Sequence, residues 1–132
     1  MLRTVSAAVA GYVLIGLLVV ATDQVFAWSI PGFALMTVPP DRYFVISLIT
    51  DSLYSLAGGY LCAVIARDRT RHAILWLIVL GEIIGLGAQV ALWDTVPHWF
   101  GIGLLALYAP AVWLGGRMRV KPAPPRSFSA TA

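Results

Sequence analysis

Four long apolar runs, each bounded by charged residues, organise the chain: Thr4 to Thr22, Tyr43 to Ala66, His72 to Trp93 and Thr95 to Gly116. A helix rises 1.5 Å per residue and a bilayer's hydrocarbon core is about 30 Å thick, so roughly 20 residues suffice to cross it. Each run has about that length. Apolar and polar residues do not alternate at period two within the runs, which disfavours the strands of a membrane barrel. The pattern predicts an all-α polytopic membrane protein with four transmembrane helices in an antiparallel bundle over residues 1–116. A short basic tail, 117–132, follows.

Composition places the chain in the same class. Hydrophobic residues make up 60 %, charged residues 11 %, and the mean hydropathy is +0.86, far from the balance of a soluble domain. The 132 residues leave no room beside four spans for a separate soluble domain.

Charge distribution then orients the bundle, because basic residues are retained on the cytoplasmic side of short loops. Arg3, Arg67, Arg69, Arg71, Arg117, Arg119, Lys121 and Arg126 fall on one side with Asp68, whereas Arg42 falls on the other with Asp23, Asp41 and Asp94. Both termini are therefore expected to be cytoplasmic. The basic pI reads as topology, and no nucleic-acid partner is expected. Read instead as a secretory signal, the first run would offer Arg3, an apolar core and Ala27 near a cleavage point. Its apolar stretch exceeds the 7–15 residues of a usual signal core, so a retained helix is expected. The lone cysteine, Cys62, cannot form an internal disulfide and reads as a small packing residue.

Local punctuation supports these boundaries. Pro39-Pro40-Asp41 offers Asp41 as an N-cap for the second helix, and Thr95 before Val96-Pro97 can start the fourth. The short turn "RDRTRH" makes the second and third helices antiparallel neighbours. The segment "QVFAWSIPGFALMTVPPD", interrupted by Pro31 and Gly32, is expected to lie in the membrane interface. Trp28, Trp93 and Trp99 would mark the outer boundary and Trp76 and Trp113 the inner one. The tail "RMRVKPAPPRSFSATA" reads as disordered and attracted to anionic headgroups.

Small residues supply candidate helix contacts: Gly58 and Gly59 on the second helix, Gly81 and Gly85 in "GEIIG" on the third. They would serve packing within the monomer or a dimer face. The stretch "ISLITDSLYSLAGGY" carries the polar candidates. At 100° per residue Ser47, Asp51, Ser55, Gly58 and Cys62 share one face, and Glu82, Gly85, Gln89 and Trp93 make a comparable stripe on the third helix. A central Asp facing lipid costs roughly 2.5–3.5 kcal/mol, so the two stripes are expected to face each other or a wet cavity. The helical rise sets Gln89 about 8 Å, Asp51 about 13 Å and Glu82 about 18 Å below the outer helix ends, a ladder leading to mid-membrane. Two carboxylates that close in low dielectric do not both ionise readily. They are read either as hydrogen-bonded struts, with Gln89 and Tyr54, or as a ligand or proton-handling site.

Catalytic motifs are not found. The chain has no HExxH, no GxSxG and no cysteine cluster, and "GLGAQ" lacks the aspartate that an intramembrane aspartyl protease places beside its glycines. Asp94 and His98 are four apart, but Pro97 between them reads better as a helix start than as part of a metal site. No catalytic residue, metal or cofactor is expected.

The stretch "AGGYLCAVIARDR" resembles a segment of small uncharacterised four-helix bacterial inner-membrane proteins. The resemblance covers the second helix and its basic turn, and it implies the bacterial inner membrane as the location. Small multidrug transporters are similar in size and helix count. Their membrane-embedded glutamate lies in the first helix, however, where this chain has no acid before Asp23. The expected function is an accessory or helix-packing component of the inner membrane. The alternative is a small proton-coupled transporter or outward-facing ligand site using Asp51 and Glu82, acting as a dimer. The lipid bilayer, a second copy and another membrane protein are the partners these readings imply.

Overall fold

A computed structural model of the chain describes residues 1–31 and 40–119, which are helical throughout apart from their connections and contain no strand. Helices α1 (Leu2–Ser29), α2 (Asp41–Ala66), α3 (Thr70–Ala91) and α4 (His98–Arg119) follow in order, with a 3-10 turn, Arg67–Arg69, between α2 and α3. Among the described residues, three uninterrupted stretches are long and apolar enough to cross a membrane: Leu2–Ser29, Asp41–Ala91 and His98–Arg119. The charge-bounded reading has four runs instead. The difference arises at Arg67, where α2, the turn and α3 join into 51 consecutive residues. Within that stretch Arg67 takes φ 51° and ψ −100°, and its N–H still donates to the Ala63 carbonyl.

Side-chain and backbone neighbours give the directions. Arg3 Nε donates to the Ile65 carbonyl (3.1 Å), Gly11 faces Gly58, and Tyr43 donates its hydroxyl to Asp23 (3.0 Å), so α1 and α2 run oppositely. Gly116 against Ile74, Tyr108 against Gly81 and Gly101 against Gln89 make α3 and α4 opposed as well. By contrast α2 and α4 run the same way, with Phe44 packed at a tilt against Phe100 (centroids 5.0 Å apart) at one end and Gly59 on Val112 further along.

The core is built from small groups. Leu77, Val112 and Cys62 are its largest fully buried side chains, surrounded by Ala7, Ala8, Ala66 and Ala73. Most large aliphatic residues, such as Leu17, Leu53, Ile83 and Ile102, point outward. That inversion suits lipid, where apolar side chains gain little from leaving the surroundings and helices are held by close backbone approach.

Helix ends depart from the charge-bounded expectation in an instructive way. α1 continues past Thr22 through Asp23 and Trp28 to Ser29, because a helix satisfies its own backbone whatever the side chains carry. Residues 24–29 of the expected interfacial segment are therefore helical, and 32–39 lie outside the described residues. Pro40, not Asp41, occupies the N-cap of α2, leaving Asp41 in the first turn, where a carboxylate still favours the positive end of the helix. α3 begins at Thr70 rather than His72. Thr95 and Val96 donate their N–H groups back to the Leu92 carbonyl, so they close the turn after α3 and α4 starts only at His98. Residues 117–119 extend α4, and the expected disorder of 120–132 lies outside the described residues. Inside α4 sits Pro110, which has no N–H to give the Ala106 carbonyl.

Candidate functional site

The polar face of α2 meets α1 at Gly58, and its inner end at Cys62 also lies beside Leu77 of α3. A Cβ added at Gly58 would run into the Ile15 side chain and come within 2.9 Å of the Gly11 carbonyl oxygen, while one at Gly11 would lie 3.2 Å from Cys62 Cβ. Ser47 and Ser55 on the same face are buried, and Ser55 Oγ donates to the Asp51 carbonyl (2.8 Å), a bond within its own helix. Asp51 is half-buried between them. Its charged neighbour is Asp23 of α1, close enough for the two charges to interact. Tyr43, one turn and two turns from Ser47 and Asp51, donates to Asp23 and meets Phe26 edge-on at 4.9 Å. Deeper, the hydroxyls of Tyr54 and Thr22 bond across α1 and α2, and Thr22 donates onward to the Leu18 carbonyl (2.9 Å). Thr22's proton is thus taken by its own helix, so Tyr54 is the donor to Thr22.

The second polar stripe belongs to a different helix pair. Gly81 abuts the Tyr108 hydroxyl, Gly85 would carry a Cβ 3.1 Å from Leu105, and the Gln89 amide fills the space beside Gly101, so this side of α3 faces α4. Tyr108 is 8 % exposed and donates to the Leu77 carbonyl at 3.0 Å. Glu82 lies next to this contact, half-buried, close enough for its charge to act on Tyr108. Trp93, at the end of the stripe, meets His98 with the rings tilted and their centroids 4.1 Å apart.

The sequence-derived ladder of Gln89, Asp51 and Glu82 is therefore divided. Asp51 stands with α1 and α2; Glu82 and Gln89 stand with α3 and α4. Among the described residues no side-chain hydrogen bond or ion pair joins Asp51 to Glu82, Gln89 or Tyr54. The physical reason lies in α4, which covers the stripe of α3 at Gly81, Gly85 and Gln89 while resting on α2 at Leu48, Leu56 and Gly59, off the polar stripe of that helix. Gly59 and Gly115 belong to that contact, Gly59 on the Val112 backbone and Gly115 on the Leu56 carbonyl. Asp23, Tyr43 and Thr22 are the site residues that sequence reasoning missed. Their signal was present in the spacing of four between Tyr43, Ser47 and Asp51, but ending the first helix at Thr22 hid their partner face.

What the arrangement can do chemically follows from its groups. The α1–α2 cluster offers two carboxylates, a phenol and two buried serines near the acidic end of the bundle, a set suited to a cation or a proton. The α3–α4 cluster offers one carboxylate and an amide on a contact dominated by packing. Compared with protein-family models, with curated proteins and with solved structures, the chain matches none.

Proposed function

We propose that the chain is an integral protein of the bacterial inner membrane, crossing four times with both termini on the cytoplasmic side, and that it serves as an accessory, helix-packing component rather than an enzyme. The observation that carries this reading is the direct seating of α4 on α2, backbone against backbone at Gly59 and Val112 and at Gly115 and Leu56. A bundle closed in that way has little freedom to alternate access, because the contacts that would have to slide have no flexible side chains between them. The division of Asp51 from Glu82 supports it too, since a proton carrier working through both acids needs them coupled.

Proteoliposomes test the proposal. With an imposed proton gradient, vesicles holding the wild type should acidify no faster than empty ones, and Asp51→Asn and Glu82→Gln should behave like the wild type. A gradient-driven flux that either substitution abolishes would reverse the assignment.

A second reading rests on the α1–α2 cluster alone: an outward-facing site for a small organic cation, held by Asp23 and Asp51 with Tyr43 between them. Tetraphenylphosphonium binding to purified protein, weakened at least tenfold in Asp51→Asn, would favour it. Equal binding by both proteins would remove it.

A further inference from the structure

At the basic end of the bundle a cleft of about 960 Å³ opens between the start of α3 and the end of α4. Arg71 and His72 line one wall, Trp113 and Arg117 the other, and Ile74 packs against Gly116 at the floor. No acidic residue is among the lining groups. Arg117 lies over the Trp113 ring with its guanidinium 4.6 Å from the centroid, which fixes a cation at the mouth while leaving its N–H edge free to bond elsewhere. The cleft is thus a set of donors with positive charge and no anion.

The apolar half of the feature decides what kind of anion fits. Below His72 and Leu75 the cleft runs into a second recess of about 230 Å³, lined by the same two residues with Trp76 and Val79. Leu75 is 59 % exposed and Trp113 47 %, so the trough is open along its length rather than sealed by neighbouring helices. A free phosphate would use the upper part alone. A phospholipid would use both, its phosphodiester between Arg71 and Arg117 and one acyl chain along Leu75 and Val79.

We infer that the α3–α4 cleft at the basic end is a binding site for one anionic glycerophospholipid. The inference rests on the proposed membrane placement, with the basic end at the cytoplasmic headgroup level, where anionic lipid meets basic pockets between helices. Charge complementarity selects an anionic headgroup over a zwitterionic one. Continuity of the charged cleft with the apolar trough selects a lipid over a soluble anion.

Native mass spectrometry of the full chain in a neutral detergent, titrated with phosphatidylglycerol or phosphatidylcholine, reads the site directly. The wild type should retain one phosphatidylglycerol in preference to phosphatidylcholine. The double variant Arg71→Gln/Arg117→Gln should weaken phosphatidylglycerol retention at least tenfold and leave phosphatidylcholine retention unchanged, while Arg42→Gln at the opposite end should change neither. Leu75→Ser should weaken the lipid without altering any binding of inorganic phosphate. Equal phosphatidylglycerol retention by the double variant overturns the inference. So does displacement of the lipid by equimolar inorganic phosphate, which would show an anion site without acyl recognition. Should the double variant fail to fold, the single variants Arg71→Gln and Trp113→Ala carry the same comparison. Failure of the membrane placement would show separately, as reagent access to the basic end from outside intact cells.

Discussion

Gly59 and Val112 touch backbone to backbone: a Cβ added at Gly59 would run into the Val112 carbonyl oxygen and lie 3.0 Å from its Cα. Nothing flexible lies between the two helices there, so an added methyl has to push α2 and α4 apart. Gly59→Ala should therefore cost about 1–3 kcal/mol, the usual penalty for overpacking a filled core. Gly115→Ala, facing the Leu56 carbonyl, should match it. Gly16 and Gly87 have open space around them, and alanine there should be neutral or stabilise by about 0.5–1 kcal/mol through helix propensity alone. Thermal unfolding in detergent distinguishes the pairs. Equal losses at Gly59 and Gly16 would mean that the close approach is not what holds α4.

Gly81 and Tyr108 should behave as a coupled pair. The Tyr108 ring occupies the place where a Gly81 side chain would sit, and its hydroxyl bonds to Leu77 at 3.0 Å. Tyr108→Phe removes that bond and should cost about 0.5–1.5 kcal/mol. Gly81→Ala should be severe with Tyr108 in place and much milder with Tyr108→Ala. A double-mutant cycle with no coupling beyond about 0.5 kcal/mol would contradict the contact.

Arg67 is the one described non-glycine residue with positive φ, at 51° with ψ −100°. Those angles fall in territory that glycine enters freely and other residues rarely occupy. Arg67→Gly should raise stability by about 1 kcal/mol by relieving that strain. A lowered melting temperature would show that the arginine side chain contributes more than its backbone costs.

Asp51 should tolerate loss of its carboxylate. Its side chain forms no hydrogen bond among the described residues, so Asp51→Leu and Asp51→Asn should have similar stabilities, within about 0.5 kcal/mol. Tyr54→Phe, which removes the donor to Thr22, should cost about 1 kcal/mol. A large deficit confined to Asp51→Leu would restore the strut reading.

Topology has its own measurement. Cysteines placed at the exposed positions Asp68 and Arg119 should resist an impermeant thiol reagent in intact cells, and those at Ser29 and Asp94 should react. Native Cys62 is fully buried and should stay silent. Labelling at Asp68 from outside would overturn the four-crossing arrangement.

Much of the architecture was legible because it depends on local chemistry. Apolar length located each helix, and the arginine-rich turn marked where α2 gives way to α3, even though unbroken backbone joins them. Helix ends were less legible: charge ended the first helix at Thr22, whereas hydrogen bonding carried it to Ser29. The facing of the polar stripes was out of reach. Periodicity places Asp51 and Glu82 on faces of their own helices, but which helix each face meets depends on how closely a third can approach. That was decided by Gly101, Gly115 and Gly116 on α4, glycines to which no packing role had been assigned.

Pro110 gives α4 an uneven stiffness. Toward the basic end, Val112, Gly115 and Gly116 rest on α2 and α3 with backbone at or near the contact, whereas toward the acidic end Gly101 and Gly103 meet the side chains of Gln89 and Leu48, which can change rotamer. The proline lies where these two regimes meet, and its missing hydrogen bond lowers the resistance to bending there. α4 therefore resembles a rod clamped at one end and sprung at the other. Small strains on α4 are thus absorbed by side chains at the acidic end, while the end that holds the arginines keeps its close backbone contacts.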